Sequence, residues 1–309
     1  MEGRLLSVII PAYNEEETVK IASETISEIL ESENIPFELV FINDGSKDKT
    51  WEAIEKEADR NEKVRGVCFS KNFGKEAAIF AGLEHARGDA CVVIDCDLQH
   101  PPKKIVEMYR LWEQGYEVVE GVKSNRGKES ALHGFAVRCF YKIISRAVKI
   151  DMSRASDFKL LDRKAVDILL TLREKHAFFR ALSSWIGFKT CDVSYEIEQR
   201  VAGETKWSTR SLIKYALTNI SSFSSMPMQI VTVLGFVVLV FSVVLGGIAL
   251  YQKAVHKALD GFTTVIVITL FIGSMIMISL GIIGYYIAKI YDEIKDRPRY
   301  IVSKKCGDK

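Results

Sequence analysis

Two stretches almost free of charge set the limits on what this chain can fold into. The first runs from about Met228 to Tyr251 and the second from about Phe262 to Ala288. Each exceeds the roughly 20 apolar residues that carry a helix across a bilayer. Scattered Ser, Thr and Gly interrupt runs of Val, Ile, Leu, Phe and Met. A core helix of a soluble protein is usually shorter and rarely has an equal neighbour one short polar loop away. The pattern predicts a two-helix transmembrane hairpin with its loop near Gln252 to Gly261. Arg210 and Lys214 precede the first stretch, and Lys289, Lys295, Arg297, Arg299, Lys304 and Lys305 follow the second. The loop carries only Lys253 and Lys257, with His256 and Asp260. The positive-inside bias therefore puts both termini, and the rest of the protein, on the cytoplasmic side of the cell membrane.

The first two-thirds of the chain read as a charged α/β domain. Leu5 to Ile10 is a short apolar run stopped by Pro11 and by Glu15-Glu16-Glu17, too short for a signal-peptide core. Apolar residues at helical spacing follow from Glu15 to Glu31. Strands are then expected at Glu38–Ile42, Val64–Phe69, Ala90–Ile94 and Val118–Val119, with helices at Thr50–Asn61, Lys75–Ala86 and after Pro101-Pro102. This alternation predicts a mostly parallel sheet with helices on both faces. A net charge of +2 over 309 residues gives no field for nucleic acid. The six cysteines show no CxxC pair and read as free thiols in a reducing compartment. Two further segments are amphipathic and basic: Leu132 to Val148, and Ser211 to Ser225, which leads directly into the first apolar stretch.

Ligands of such sheets sit beyond the carboxyl ends of the strands. Three polar clusters fall there: Pro11-Ala12-Tyr13-Asn14-Glu15, Asn43-Asp44-Gly45-Ser46 and Asp95-Cys96-Asp97. Asp95 and Asp97 are one residue apart at the end of a β-branched run, so their carboxylates share a direction. With the amide of Gln99 they make a hard-oxygen set suited to Mg²⁺ or Mn²⁺. A solvated strand end accounts for the acid pair alone about as well. Asn-Asp-Gly-Ser is also a turn signal in its own right. Lys71 to Lys75 is a basic, glycine-containing turn at a helix start, open to phosphate or to solvent.

Taken together, these blocks resemble the nucleotide-sugar-binding domain of glycosyltransferase family 2. Ser7 to Glu15 looks like that family's opening strand and nucleotide loop, Phe41 to Ser46 like its second acidic turn, and Asp95-Cys96-Asp97 like its DxD motif. Asp97 to Pro102, Ser156 to Leu161 and Arg200 to Trp207 are similar to the polyprenyl-phosphate glycosyltransferase branch, which includes dolichol-phosphate mannose synthases and bactoprenol-phosphate glucosyltransferases. Asn43 stands where many relatives carry an aspartate. The resemblance implies a GT-A catalytic domain over 1–208, an interfacial segment over 209–227, a hairpin over 228–290 and a tail over 291–309.

The resemblance also implies roles. Pro11, Ala12, Tyr13, Glu15, Asp44, Lys75 and Asp95 would line the nucleotide-sugar site. Asp95, Asp97 and Gln99 would hold the metal. Asp157 falls at the catalytic-base position, with Asp97, Arg200 and Lys206 beside it in catalysis. Lys123, Arg126 and Arg138 are candidates for the acceptor phosphate. A lipid phosphate is already anionic near neutral pH, so Asp157 is as well suited to orienting groups as to removing a proton. The implied reaction is inverting transfer of a sugar to polyprenyl (undecaprenyl) phosphate. UDP-glucose is the preferred donor; UDP-N-acetylglucosamine, GDP-mannose and UDP-modified arabinose are the others. A processive polysaccharide synthase would need more spans. A non-catalytic scaffold or flippase subunit would not need the acids Asp95, Asp97 and Asp157 together with Arg200 and Lys206. Gly281 and Gly284 permit close helix approach, and a homo-oligomer is expected.

Overall fold

The computed structural model describes residues 4–124, 156–172, 174, 178–196, 226–255 and 261–307. The chain divides into two units, one of residues 1–213 with 298–309 and one of residues 214–297.

In the first unit the expected alternation is present. It runs β1 (Leu6–Ala12), α1 (Val19–Ser32), β2 (Phe37–Asn43), α2 (Thr50–Arg60), β3 (Val64–Phe69), α3 (Lys75–His85), β4 (Ala90–Val93) and α4 (Lys103–Glu113). Every residue of β2 is buried, as a central parallel strand covered on both faces requires. Helix α1 buries Val19, Ala22, Ile26 and Leu30 along one stripe and leaves its charged face to water. Helix α3 differs, because Ala78 to Leu83 are buried without a break. Gly82 permits this close seating: a Cβ there would stand 2.2 Å from Cγ2 of Ile9 in β1.

Four elements follow that the strand-and-helix pattern had not revealed: β6 (Lys159–Asp162), α5 (Arg163–Thr171), α6 (Phe179–Trp185) and β7 (Thr190–Tyr195). β5 (Val118–Lys123) is longer than the two residues expected. With a last strand β8 (Val302–Cys306), the sheet order is β7-β5-β6-β4-β1-β2-β3-β8. β4, β1, β2 and β3 are parallel neighbours, and β6 lies antiparallel between β4 and β5. From β1 the chain steps outward through β2 and β3, then returns to the other side of β1 as β4. The crevice between the carboxyl ends of β1 and β4 is therefore a topological switch point, where open α/β sheets bind their ligands.

The eighth strand, β8 (Val302–Cys306), was read from the sequence only as a basic tail. It pairs antiparallel with β3. Gly66 makes room for it, since a Cβ there would stand 2.6 Å from the Cys306 sulfur. Exposed Lys304 and Lys305 then mark the outer edge of the sheet, a common protection against edge-to-edge pairing.

The second unit contains α7 (Met226–Ala254) and α8 (Phe262–Ile294). Phe271–Ile294 is long and apolar enough to cross a membrane, with mean hydropathy 1.9, and Val233–Ile248 is a shorter apolar stretch. Val233, Phe236, Leu239, Met277, Leu280 and Ile287 are among many exposed apolar side chains, a pattern that soluble surfaces avoid. The expected amphipathic segments at Leu132–Val148 and Ser211–Ser225 lie outside the described residues. The described cysteines (Cys68, Cys91, Cys96, Cys191 and Cys306) are all free thiols.

Candidate active site

The turn after β1 and the turn after β2 are stitched together before either meets a ligand. Asn14 adopts a left-handed backbone with φ of 55°. Its N–H donates to Ser46 Oγ at 2.9 Å, and its Oδ1 accepts from the Lys47 N–H at 2.9 Å. The Glu15 N–H donates to Thr50 Oγ1 at 2.8 Å. Gly45, with φ of 61°, passes so close to Lys71 that a Cβ would stand 2.2 Å from its carbonyl carbon.

Asp44 is the hub of this region. It is 3% exposed. Its carboxylate accepts from the Phe73 N–H at 2.7 Å, the Gly74 N–H at 2.9 Å and Asn72 Nδ2 at 2.9 Å. Burial pushes its pKa up to about 6, and the N–H groups of Phe73 and Gly74 oppose that rise. Asp44 therefore organises the turn between β3 and α3. The resemblance had Asp44 lining the nucleotide-sugar site; its described contacts are to the chain itself.

A second cluster gathers on the other side of β1. Lys75, the first residue of α3, places its ammonium 2.6 Å from Asp95 Oδ1 and 2.9 Å from Asp157 Oδ2. Arg180 in α6 grips Asp157 with both prongs, Nε to Oδ1 at 2.6 Å and Nη2 to Oδ2 at 2.7 Å. Burial works to raise the pKa of Asp157, but Lys75 and Arg180 overcome it and hold the carboxyl well below its usual value. For Asp95 the same contest between burial and Lys75 ends in a lowered pKa. Both acids are thus fixed as carboxylates. Burial and the nearby Asp157 charge push Glu76 the other way, to about 7. Glu76 Oε2 accepts the Phe179 N–H at 2.8 Å and so anchors the start of α6, one residue before Arg180.

The DxD segment forms a tight turn. Leu98 has φ of 55°, and Asp97 Oδ1 accepts the Gln99 N–H at 3.2 Å. β4 ends at Val93, so Asp95 and Asp97 stand beyond the strand rather than on it; both are half-buried, as is Gln99, while Cys96 and Leu98 are buried. His100 stacks on Phe158 at 5.0 Å and meets Tyr195 edge-on at 5.4 Å. Burial lowers its pKa, with Asp95 opposing.

Of the residues singled out from sequence, the structure joins Lys75, Asp95 and Asp157 in one network. Pro11 and Ala12 end β1, half-buried Tyr13 and Glu15 follow, and the Glu15 carboxylate accepts from Thr18 Oγ1 at 2.8 Å. Lys123 is exposed at the end of β5. Arg126, Arg138, Arg200 and Lys206 lie outside the described residues. Sequence reasoning missed Arg180, Glu76 and the buried pair Lys159–Glu120, whose charged atoms are 3.0 Å apart. The available signal was a lone cation inside an apolar run, in Phe178-Phe179-Arg180-Ala181-Leu182 and Phe158-Lys159-Leu160-Leu161. A charge so placed is rarely buried without a partner.

An acid-lined crevice at a switch point, opened by the Pro11–Glu15 turn, is the arrangement the sequence resemblance implies. The profile of glycosyl transferase family 2 matches residues 7–168. The chain belongs to glycosyl transferase family 2. The glycosyltransferase is also similar, nearly end to end, to curated bacterial and phage proteins. An uncharacterized glycosyltransferase, YkcC, of Bacillus subtilis is 38% identical over 97% of this chain and 94% of its own length. The Escherichia coli prophage bactoprenol glucosyl transferase homolog is 36% identical over 97% of this chain and 98% of its own length. The bactoprenol glucosyl transferase of Shigella phage SfII is 36% identical over 97% of both. These names agree with the polyprenyl-phosphate branch read from the sequence motifs, and the GT-A type sheet agrees with the fold it implied.

Proposed function

We propose that this glycosyltransferase moves glucose from UDP-glucose to a polyprenyl (undecaprenyl) phosphate, with inversion, at the cytoplasmic face of the cell membrane. The observation that carries this reading is the acid-lined switch-point crevice in a chain that continues into two apolar helices. The names of the bactoprenol glucosyl transferases, which are similar over the apolar part as well, support glucose and a lipid acceptor.

The return of β8 to the sheet supports two membrane spans. β8 follows α8 in sequence yet pairs with β3. A chain that leaves and rejoins one domain crosses a bilayer an even number of times. If α8 crosses, α7 crosses too, and both ends stay on the cytoplasmic side, as the basic flanks predict. In α8, Gly281 and Gly284 have open space where a Cβ would stand, which supports packing of a second copy.

Among the described residues no three His, Cys, Asp or Glu side chains form a metal cage. An Mg²⁺-like ion that binds with phosphates needs only one or two protein carboxylates. The half-buried Asp95 and Asp97, with Gln99 beside them, fit that donor set. When bound, Mg²⁺ or Mn²⁺ would supply positive charge to the departing diphosphate.

The chain's own residues then divide the work. Asp44 fixes the turn that borders the nucleotide pocket, with Pro11, Ala12, Tyr13 and Glu15 facing it. Asp157, already paired with Lys75 and Arg180, is poorly placed to take a proton, and an anionic acceptor phosphate has no need to lose one. Its task is to hold two cations at the crevice. Lys123, Arg126, Arg138, Arg200 and Lys206 are the remaining cations for phosphate binding.

The test is to incubate membranes holding the full chain with labelled UDP-glucose, UDP-N-acetylglucosamine, GDP-mannose and a UDP-arabinose derivative, each with undecaprenyl phosphate. A labelled lipid formed from UDP-glucose alone supports the reading. Label appearing only from another donor corrects the sugar, and no lipid product from any donor removes the function.

A further inference from the structure

The tail that follows α8 has more contacts than an edge strand needs. Arg299 donates through Nη2 to the Leu172 carbonyl and through Nε to the Glu174 carbonyl, the latter at 3.1 Å. Its guanidinium sits over the Phe80 ring, 4.6 Å from the centroid. Tyr300 stacks on Phe69 with centroids 4.8 Å apart and planes inclined by 18°. Its hydroxyl donates to Glu84 Oε2. The Ser70 N–H donates to the Ile301 carbonyl at 2.9 Å, and Ser303 Oγ donates to the Cys68 carbonyl at 3.1 Å.

Phe69 is the last residue of β3, and the turn that holds Asp44 begins immediately after it. Phe73, inside that turn, packs edge-on against Phe69 at 5.8 Å. Phe73, Tyr300 and Val302 all pack on one apolar cluster with Val40, Ile42, Val67, Ala78 and Ala81. A continuous path of contacts therefore runs from Tyr300 through Phe69 and Phe73 to the two N–H groups that clasp Asp44. Gly74, next in the chain, has φ of 98° and nothing near its Cβ position. The turn is held on one side by Asp44 and the close backbone of Gly45, and on the other by Phe73.

We propose that Tyr300 and the strand it introduces are a positioning element of the donor site, setting the 70–74 turn through Phe69 and Phe73 so that its N–H groups meet Asp44. This rests on the reading that the crevice binds a nucleotide sugar. It assigns a part in donor binding to a residue that follows both apolar helices in the chain.

Tyr300→Ala and Tyr300→Phe in the full chain, purified in detergent, test it. The alanine removes the stack and the hydroxyl; the phenylalanine removes the hydroxyl alone. Tyr300→Ala raises the donor KM roughly five- to tenfold, the scale of one lost aromatic pair. The acceptor KM and kcat stay near wild type, and Tyr300→Phe lies between. Phe73→Ala combined with Tyr300→Ala raises the donor KM by less than the product of the single effects, because both cut one path. Amide exchange at Phe73 and Gly74 speeds up in Tyr300→Ala, by NMR or mass spectrometry. The exchange readout needs no substrate. If the wild type turns over no sugar nucleotide, the donor-site reading fails while exchange still judges the tail. Unchanged exchange at Phe73 and Gly74 overturns the proposal. So does a multiplicative double variant, or an equal rise in donor and acceptor KM.

Discussion

Replacing Arg180 by methionine is the sharpest probe of the acid cluster. The Asp157 side chain is 5% exposed and that of Arg180 is 28% exposed. The substitution removes two charge-assisted hydrogen bonds, at 2.6 and 2.7 Å, and keeps most of the aliphatic stem. Breaking a buried ion pair from one side costs about 3–5 kcal/mol. Two features of the site reduce that figure. Lys75 remains 2.9 Å from the same carboxylate, and the 28% exposure of Arg180 lets solvent screen part of the pair already. About 2–3 kcal/mol of lost stability is the expected result, or roughly 5–10 °C in Tm. The assay is thermal unfolding of the full chain in detergent, followed by near-ultraviolet circular dichroism. Linkage gives a second signature. Asp157 has its folded pKa well below 3.8. Its contribution is complete above the unfolded pKa and is lost as pH falls below it. The gap between wild type and Arg180→Met is therefore widest near neutral pH and narrows below about pH 4. A variant that melts with the wild type at pH 7.5, or a gap that stays constant into acid, refutes the argument that Arg180 holds Asp157 ionised.

Asp157→Asn keeps the shape but removes the charge that Lys75 and Arg180 share; turnover falls at least about a hundredfold while UDP affinity, by calorimetry, stays within about threefold. Asp97→Ala, or chelation of divalent ions, stops glycolipid synthesis without lowering Tm; synthesis at the original rate in either case removes the metal from the scheme. Asp44, with its pKa near 6, protonates as the medium is acidified, and the carboxylate that receives the Phe73 and Gly74 N–H groups is neutralised. The donor KM should accordingly rise below pH 6, and Asp44→Asn should flatten that dependence. The sign for stability is opposite. A folded pKa above 3.8 means the native state takes up the extra proton between about pH 4 and 6, so this group favours folding as pH falls across the window. Loss of donor affinity with no loss of Tm in that range is the combined signature.

The central half of the sheet was legible because its signals are local. β3 was read as Val64–Phe69 and is that strand, and α3 was read one residue too long. The acid pair at Asp95 and Asp97 announced itself by following a β-branched run. What stayed hidden depends on partners distant in sequence. β6 has four residues and becomes a strand because β4 and β5 flank it. Asp157 was visible, but Arg180 was not, since the two meet only through tertiary packing, 23 residues apart in the chain. From the sequence, Lys75 sat in a turn open to phosphate or to solvent, at a helix N-terminus where backbone N–H groups can meet anions. Here the anions are carboxylates of the same chain. The tail was the largest gap: Val302 to Cys306 carries two lysines and little apolar periodicity, so only the exposed edge of β3 makes it a strand.

That edge has a consequence for biogenesis. Chains emerge from the ribosome from the N-terminus onward, and domains fold in that order. This one cannot finish its sheet when the α/β part has been made, because the closing strand is encoded behind both apolar helices. Until Val302 to Cys306 are made and pair with it, β3 presents an open row of amide and carbonyl groups, the kind of edge that recruits other chains. A product cut short or nicked just after Arg297 would keep every acidic residue of the crevice and still be prone to aggregate. Closure of the sheet on this side therefore waits until both apolar helices have been synthesised, because its last strand lies beyond them in the chain.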